Sequence, residues 1–68
     1  MIEFNQRIGS EETSPITLDV DAIGLIEPVD SGLTTIVLQN GRTLLADLPY
    51  SEVRRMVIEA RSQFVTVL

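Results

Sequence analysis

Apolar and β-branched residues run along both sides of Asn40-Gly41, from Leu33 to Asp47. Asn-Gly favours a two-residue type I′ turn, because both residues tolerate positive φ. Such a turn predicts an antiparallel hairpin in which Val37 lies opposite Leu44. In this register both faces of the hairpin are apolar near their middle, so we expect a helix to cover one face and a partner to cover the other.

Three further segments alternate apolar and polar residues as strands do. They are Met1 to Arg7, Ile16 to Asp21 and, after a bend, Ala22 to Val29. Gly24 marks a bulge or a close backbone approach, and Pro28 confines the end of its strand to an edge or a bulge.

Helical periodicity begins after the hairpin. Pro49 suits the first turn of a helix, which Ser51 or Asp47 can cap. Glu52 is favourable at the positive end of the helix dipole. Together with the strands, this helix predicts an α+β fold, a small antiparallel β-sheet of four to five strands with one amphipathic helix packed on one face. The predicted apolar stripe of the helix consists of Val53, Met56, Val57, Ala60 and Phe64.

The length of the chain, 68 residues, predicts a single small domain over residues 1–68. Ile8 to Pro15 gathers Gly, Ser, Thr and two glutamates, which predicts a mobile loop. Phe64 to Leu68 has strong β propensity and no charged side chain, so we expect it to be paired with another strand. It could extend its own sheet, be swapped onto a neighbouring subunit, or form the end of the helix.

The composition removes most catalytic chemistry. Cys and His are absent, and all five basic residues are Arg. Thiol and Ser-His nucleophiles, lysine Schiff bases and the usual zinc ligands are therefore excluded. Asp19 and Asp21 would share one face of a strand, but no third oxygen donor accompanies them. We predict a protein that is not an enzyme and that has no cofactor and no metal site.

The charge of the chain bears on its partners and its location. Ten acidic residues against five basic ones give a net charge of −5, which disfavours binding to nucleic acid. No apolar run approaches the length of about 20 residues that a membrane span needs. Met1 to Phe4 does not have the pattern of a signal peptide. The prediction is a cytoplasmic protein without a membrane partner.

Three segments occur in an order that is found in a known family. They are Ile23-Gly24-Leu25-Ile26-Glu27, Thr35 to Arg42, and Ser51-Glu52-Val53. Their order resembles small flagellar proteins of the FlbD/SwrD type, which contain an Ile-Glu strand, an Asn-Gly hairpin and one helix. The resemblance covers Ile16 to Arg61. The chain departs from that family in its longer Ile8 to Pro15 loop and in the absence of lysine after the hairpin.

The same strand, hairpin and Ser-capped helix also resemble part of a LytTR DNA-binding domain. That resemblance implies DNA binding through basic loops. Here the corresponding region carries Glu27 and Asp30, so the acidity of the chain opposes this function. A short oligomeric Sm-like barrel is a further alternative, because small sheets can close into rings through terminal strands.

The leading hypothesis is a non-enzymatic, self-associating regulator of bacterial or phage origin that binds another protein and forms a homo-oligomer. Two apolar faces on one hairpin, a β-prone tail and the absence of catalytic side chains motivate it. The residues predicted to mediate self-association are Ile36, Leu38, Leu45, Val65 and Val67.

The alternative hypothesis is an oligomeric binder of a small phosphate-like or nucleotide-like anion, with sites between subunits. Arginine binds phosphate and carboxylate groups through a bidentate fork, and a tyrosine ring can stack on a planar ligand. The residues nominated for this ligand site are Arg42, Tyr50, Arg54 and Arg55.

Overall fold

The computed structural model describes residues 1–62, which form a five-stranded antiparallel sheet with one helix packed on it. The predicted α+β fold is therefore confirmed. The strands lie side by side in the order β2-β1-β5-β4-β3, so β2 and β3 are the edge strands of the described sheet. In chain order the elements are β1 (Ile2–Arg7), β2 (Thr13–Leu18), a 3-10 turn (Val20–Ala22), β3 (Ile23–Asp30), β4 (Leu33–Leu38), β5 (Thr43–Ala46) and α1 (Tyr50–Ser62).

The hairpin between β4 and β5 has a three-residue loop in place of the predicted two-residue turn. The N–H of Leu38 donates to the carbonyl of Arg42 at 2.8 Å, and the N–H of Gly41 donates to the carbonyl of Leu38 at 2.9 Å. Gly41 has a φ of +88°, whereas Asn40 does not have a positive φ. A type I turn followed by a left-handed glycine has this geometry, so the predicted type I′ turn is wrong.

The longer loop shifts the pairing of β4 with β5 by one residue. Ile36 lies opposite Leu44, and Val37 lies opposite Thr43. The predicted pairing of Val37 with Leu44 is therefore wrong. Because side chains alternate between the faces of a strand, a one-residue shift moves every side chain of β5 to the other face.

The helix covers one face of the sheet, and the core lies between them. Ile36 and Val53 are almost completely buried there, at 0% and 1% exposure. Ile36 and Leu38 therefore lie on the covered face, which corrects their predicted place on an open one, while Leu45 lies on the opposite face. The buried hydrophobic residues are Ile2, Phe4, Val20, Ile23, Ile36, Ala46, Val53, Val57 and Ala60.

The predicted apolar stripe of the helix packs as expected over the described residues. Val53, Val57 and Ala60 are buried, and Met56 packs partly against the core. Phe64, the last member of the stripe, lies outside the described residues, as do Val65 and Val67. The fate of the tail therefore stays a prediction.

The predicted bounds of one loop and one strand need correction. The loop after β1 ends at Glu12, because Thr13 to Pro15 already belong to β2 and pair with β1. The predicted strand Ile16 to Asp21 ends at Leu18, two residues before the 3-10 turn begins at Val20. Asp19 caps this turn by accepting a hydrogen bond from the N–H of Asp21 at 3.0 Å. This carboxylate thus completes a turn that starts the chain into β3.

The edge strand β3 is irregular near both ends, as Gly24 and Pro28 predicted. Its register with β4 shifts between Ile23 and Leu25 and again between Pro28 and Asp30. A Cβ atom on Gly24 would lie 3.2 Å from the carbonyl oxygen of Val37 on β4, so the backbones approach closely there. Four residues, Leu25 to Pro28, form the regular part of the strand.

The pairing between β1 and β5 is the shortest in the described sheet. Their register consists of one pair, Gln6 with Ala46. The N–H of Asp47 donates to the carbonyl of Asn5 at 2.8 Å, and its carboxylate accepts a 2.7 Å hydrogen bond from the guanidinium of Arg7. Asp47 therefore joins the β1-β2 hairpin to the rest of the sheet, a role that the predicted helix cap did not include.

Candidate binding surfaces

The face of the sheet opposite the helix carries an apolar strip, made of Leu25, Leu33, Val37 and Leu45. Leu25 lies opposite Val37 across β3 and β4. Leu45 lies opposite Thr35, which makes it a diagonal neighbour of both Leu33 and Val37, about 7–8 Å away. Leu25 is 47% exposed, and the other three are partly exposed. The strip thus crosses three strands, and Glu27 of β3, opposite Thr35, is a charged neighbour on the same face.

The same face is polar over β1 and β2. Alternation from the buried Ile2 and Phe4 places Glu3, Asn5 and Arg7 on the open face, and their partners on β2 are two threonines and a proline. The open face therefore has two halves, an apolar half on β3, β4 and β5 and a polar half on β1 and β2. A polar border around an apolar patch is typical of surfaces that associate with other proteins.

A groove of about 220 Å³ separates the edge strand β3 from the helix. Its floor is the segment Ile23 to Ile26 of β3. The flank of the helix that faces this edge supplies the other wall, and its residues recur at helical spacing, four, three, one and three positions apart: Tyr50, Arg54, Val57, Ile58 and Arg61.

The groove contains two of the four residues nominated for an anion site, Tyr50 and Arg54. Arg42 does not line it. Arg42 precedes β5 and Tyr50 follows it, so the length of that strand separates them, and the four nominated residues do not form a single cluster. Their role in ligand binding stays a prediction.

Arg55 points to a different set of partners. Its guanidinium donates to Glu52 at 2.8 Å and to Glu59 at 3.1 Å, all on the exposed side of the helix. The hydrogen bonds that Arg55 donates to Glu52 and then to Glu59 raise the pKa of Arg55 above its ordinary value. A charge that is already neutralised in this way is a weak candidate for an external anion.

Arg61 is a groove residue that the sequence interpretation did not nominate. It lies seven residues after Arg54, so both fall on one flank of the helix. Within residues 1–62 neither Arg54 nor Arg61 forms an ion pair. The spacing was visible in the sequence, but only the fold reveals that this flank lies over an edge strand.

The opposite flank of the helix has the opposite charge. There a second groove runs along the beginning of β1, lined by Glu3 and Glu59 together with Met1, Ile2, Met56 and Ala60. The helix therefore separates a groove whose helical wall carries two arginines from a groove whose helical wall carries Glu59.

Comparison of the chain with protein-family models, with curated proteins and with solved structures finds no match. The resemblances to FlbD/SwrD-type proteins and to LytTR domains therefore stay predictions. Within the part of the chain that the structure describes, no helix is long and apolar enough to cross a membrane.

Proposed function

We propose that the protein is a self-associating, non-enzymatic interaction module in which two copies pack together through the apolar strip. The observation that carries this proposal is the position of the strip, on the sheet face that α1 leaves open. An antiparallel sheet normally buries one face and exposes a polar one. Here the half of the open face formed by β3, β4 and β5 is mainly apolar, with Glu27 on its edge strand.

A second copy of this chain fits the strip better than a charged partner does. Packing two sheets face to face brings their inner side chains together at a separation of about 10 Å. Glu27 lies on the same face, but it is on the edge strand β3 and is exposed, so its carboxylate can stay hydrated at the border of such a contact. Most of the remaining surface of a chain with a net charge of −5 would instead bring like charges together.

Self-association also addresses the small size of the domain. A domain of this length buries roughly 60% of the surface of its unfolded chain, so its own core is small. Burying Leu25, Leu33, Val37 and Leu45 between two copies adds apolar contact area that one chain cannot provide. Because both copies contribute the same residues, we expect a closed two-fold dimer.

The module would act by binding rather than by catalysis, because the chain has no His, Cys or Lys that could serve as a base or nucleophile near neutral pH. The resemblance to small flagellar proteins favours a regulatory role in a bacterium or phage. In that role the dimer would present its remaining surfaces to a partner protein.

Sedimentation equilibrium of the wild-type chain and of Val37→Glu tests the proposal. We expect the wild-type protein to have twice the mass of one chain and Val37→Glu to sediment as a monomer, since the new carboxylate would lie in the centre of the interface. Circular dichroism establishes that the variant has kept its fold.

Thr13→Glu is the matched control, because it introduces the same charge on the same face, but on β2 in the polar half. This variant is expected to remain a dimer. A wild-type chain that stays monomeric at every concentration examined, or a Val37→Glu dimer with unchanged affinity, would contradict the proposal.

A further inference from the structure

The edge strand β3 has a short stretch of backbone that can accept another strand. An edge strand leaves alternate N–H and C=O groups without a neighbour in the sheet. Bulges at Gly24 and after Pro28 interrupt pairing, so the regular stretch is Leu25 to Pro28, and its last residue has no N–H to donate. An added strand would therefore be short, about three to five residues.

The flank of the helix stands directly over this stretch. Arg54 and Arg61 are seven residues apart, which corresponds to about 10.5 Å along the helix axis. Ile58 lies between them and is 47% exposed. A strand added to β3 would project every second side chain, at intervals of about 7 Å, toward this flank. Arginine has a long flexible stem, so two such side chains are within reach of the two guanidinium groups.

The arginines of the helix differ in whether they have acidic partners. Arg55, on the exposed side of the helix, is neutralised by Glu52 and Glu59, and the helical wall of the opposite groove carries Glu59. Arg54 and Arg61 have no acidic partner within residues 1–62. Two arginines in an acidic protein thus line a groove that also offers the backbone of an edge strand.

We propose that this groove binds an extended acidic segment of a partner protein, which adds to β3 as a sixth strand. Backbone hydrogen bonds to Leu25–Glu27 would provide affinity, and acidic side chains at alternate positions would provide specificity by pairing with Arg54 and Arg61. The chain's own residues 63–68 contain no acidic side chain and do not match the two arginines. The proposal concerns a different surface from the apolar strip, and it holds whether or not the protein dimerises.

Fluorescence polarisation with a labelled, end-blocked peptide of alternating residues, Thr-Glu-Thr-Glu-Thr-Glu-Thr, tests the proposal on the full chain. We expect saturable binding that weakens at least about tenfold between low and high salt, because charges at a surface are screened. The corresponding Thr-Lys peptide should not bind. Methylating alternate backbone nitrogens of the acidic peptide should abolish binding, which separates strand addition from attraction between charges alone.

Charge reversal supplies the matched variants. Arg54→Glu with Arg61→Glu should lose the Thr-Glu peptide and gain the Thr-Lys peptide. Arg42→Glu makes the same change outside the groove and should leave the affinity for the acidic peptide within about twofold of the wild-type value. All three positions are exposed, so circular dichroism should report an unchanged fold.

Three results would overturn the inference. The acidic peptide could fail to bind, it could bind equally well after backbone methylation, or inorganic phosphate could displace it completely at similar concentrations, which would indicate a small-anion site. Binding of an end-blocked peptide of residues 63–68 in place of the acidic peptide would assign the groove to the chain's own sequence. Val37→Glu should not change the peptide affinity, so failure here is distinguishable from failure of the dimer.

Discussion

The two faces of the sheet differ far more in their packing than in their sequence. On the covered face, Ile36 is fully buried beneath the helix. On the open face, its neighbour Val37 has a similar side chain but remains partly exposed. Both residues belong to one β-branched run that forms β4. Strand propensity therefore made the strand, whereas the position of the helix decided which of the two side chains became core.

The two threonines of β4 show the same difference between the faces. Thr34 is fully buried on the covered face, and its hydroxyl donates to the carbonyl of Leu48 at 2.9 Å. This hydrogen bond makes burial of a polar group acceptable and ties β4 to the chain that leads into the helix. Thr35, on the open face, pairs with Leu45 and stays partly exposed. The open face is thus held less tightly than the covered one.

Truncating Ile36 and Val37 in turn should give the largest difference between the covered face and the open face. We expect Ile36→Ala to lower the free energy of unfolding by about 2–5 kcal/mol, because it leaves a cavity in the core. Val37→Ala should lower it by less than about 1 kcal/mol in a dilute sample, because no packed layer is lost. Urea denaturation followed by circular dichroism measures both values, and equal losses would mean that the open face is covered.

Gly41 offers a smaller test, because its turn decides which face the side chains of β5 take. Its φ is +88°, and a Cβ atom there would meet nothing within 4 Å. Gly41→Ala should therefore cost only the backbone strain, roughly 1 kcal/mol of unfolding free energy. Gly32→Ala is the matched control, since Gly32 lies in the turn between β3 and β4 and does not have a positive φ. If both substitutions cost the same, the left-handed conformation at Gly41 is not the cause.

Arg55 should give the smallest effect, because its ion pairs lie in solvent on the outer side of the helix. Arg55→Gln should leave the thermal midpoint at neutral pH within error of the wild-type value. The raised pKa of Arg55 means that its contribution is fully present below the ordinary arginine pKa and is lost only as the pH rises through the higher folded value. Thermal melts across the neutral range should therefore show no pH dependence that the substitution removes.

The sequence was sufficient for the elements, and less so for their register. Alternation predicted the strands, apolar periodicity predicted the helix, and Gly24 and Pro28 marked the bulges of β3. Asn40-Gly41 predicted a turn but not its length, since the same pair suits a two-residue turn and the last part of a three-residue loop. Only the burial of Ile36 with Ala46 against the helix selects between these registers.

The candidate surfaces were harder to predict than the fold, for a geometric reason. Leu45 was expected on an open face and lies there. Ile36 and Leu38 were expected on the same open face but lie on the face that the helix covers. Arg54 was nominated and lines the groove, whereas Arg61 was missed. Sequence spacing places both arginines on one flank of the helix, yet the strand beneath that flank depends on the order of strands in the sheet.

The short junction between β1 and β5 separates two parts of the sheet. One is the β1-β2 hairpin, and the other is the β3-β4-β5 meander with the helix behind it; each consists of contacts between chain neighbours, which form quickly. Their backbones meet through the single pair of Gln6 with Ala46 and through the bonds of Asp47, while Ile2 and Phe4 of β1 pack into the common core. We expect the sheet to open first at the junction between β1 and β5. The amide proton of Asp47 should therefore exchange with solvent before those in the centre of β4.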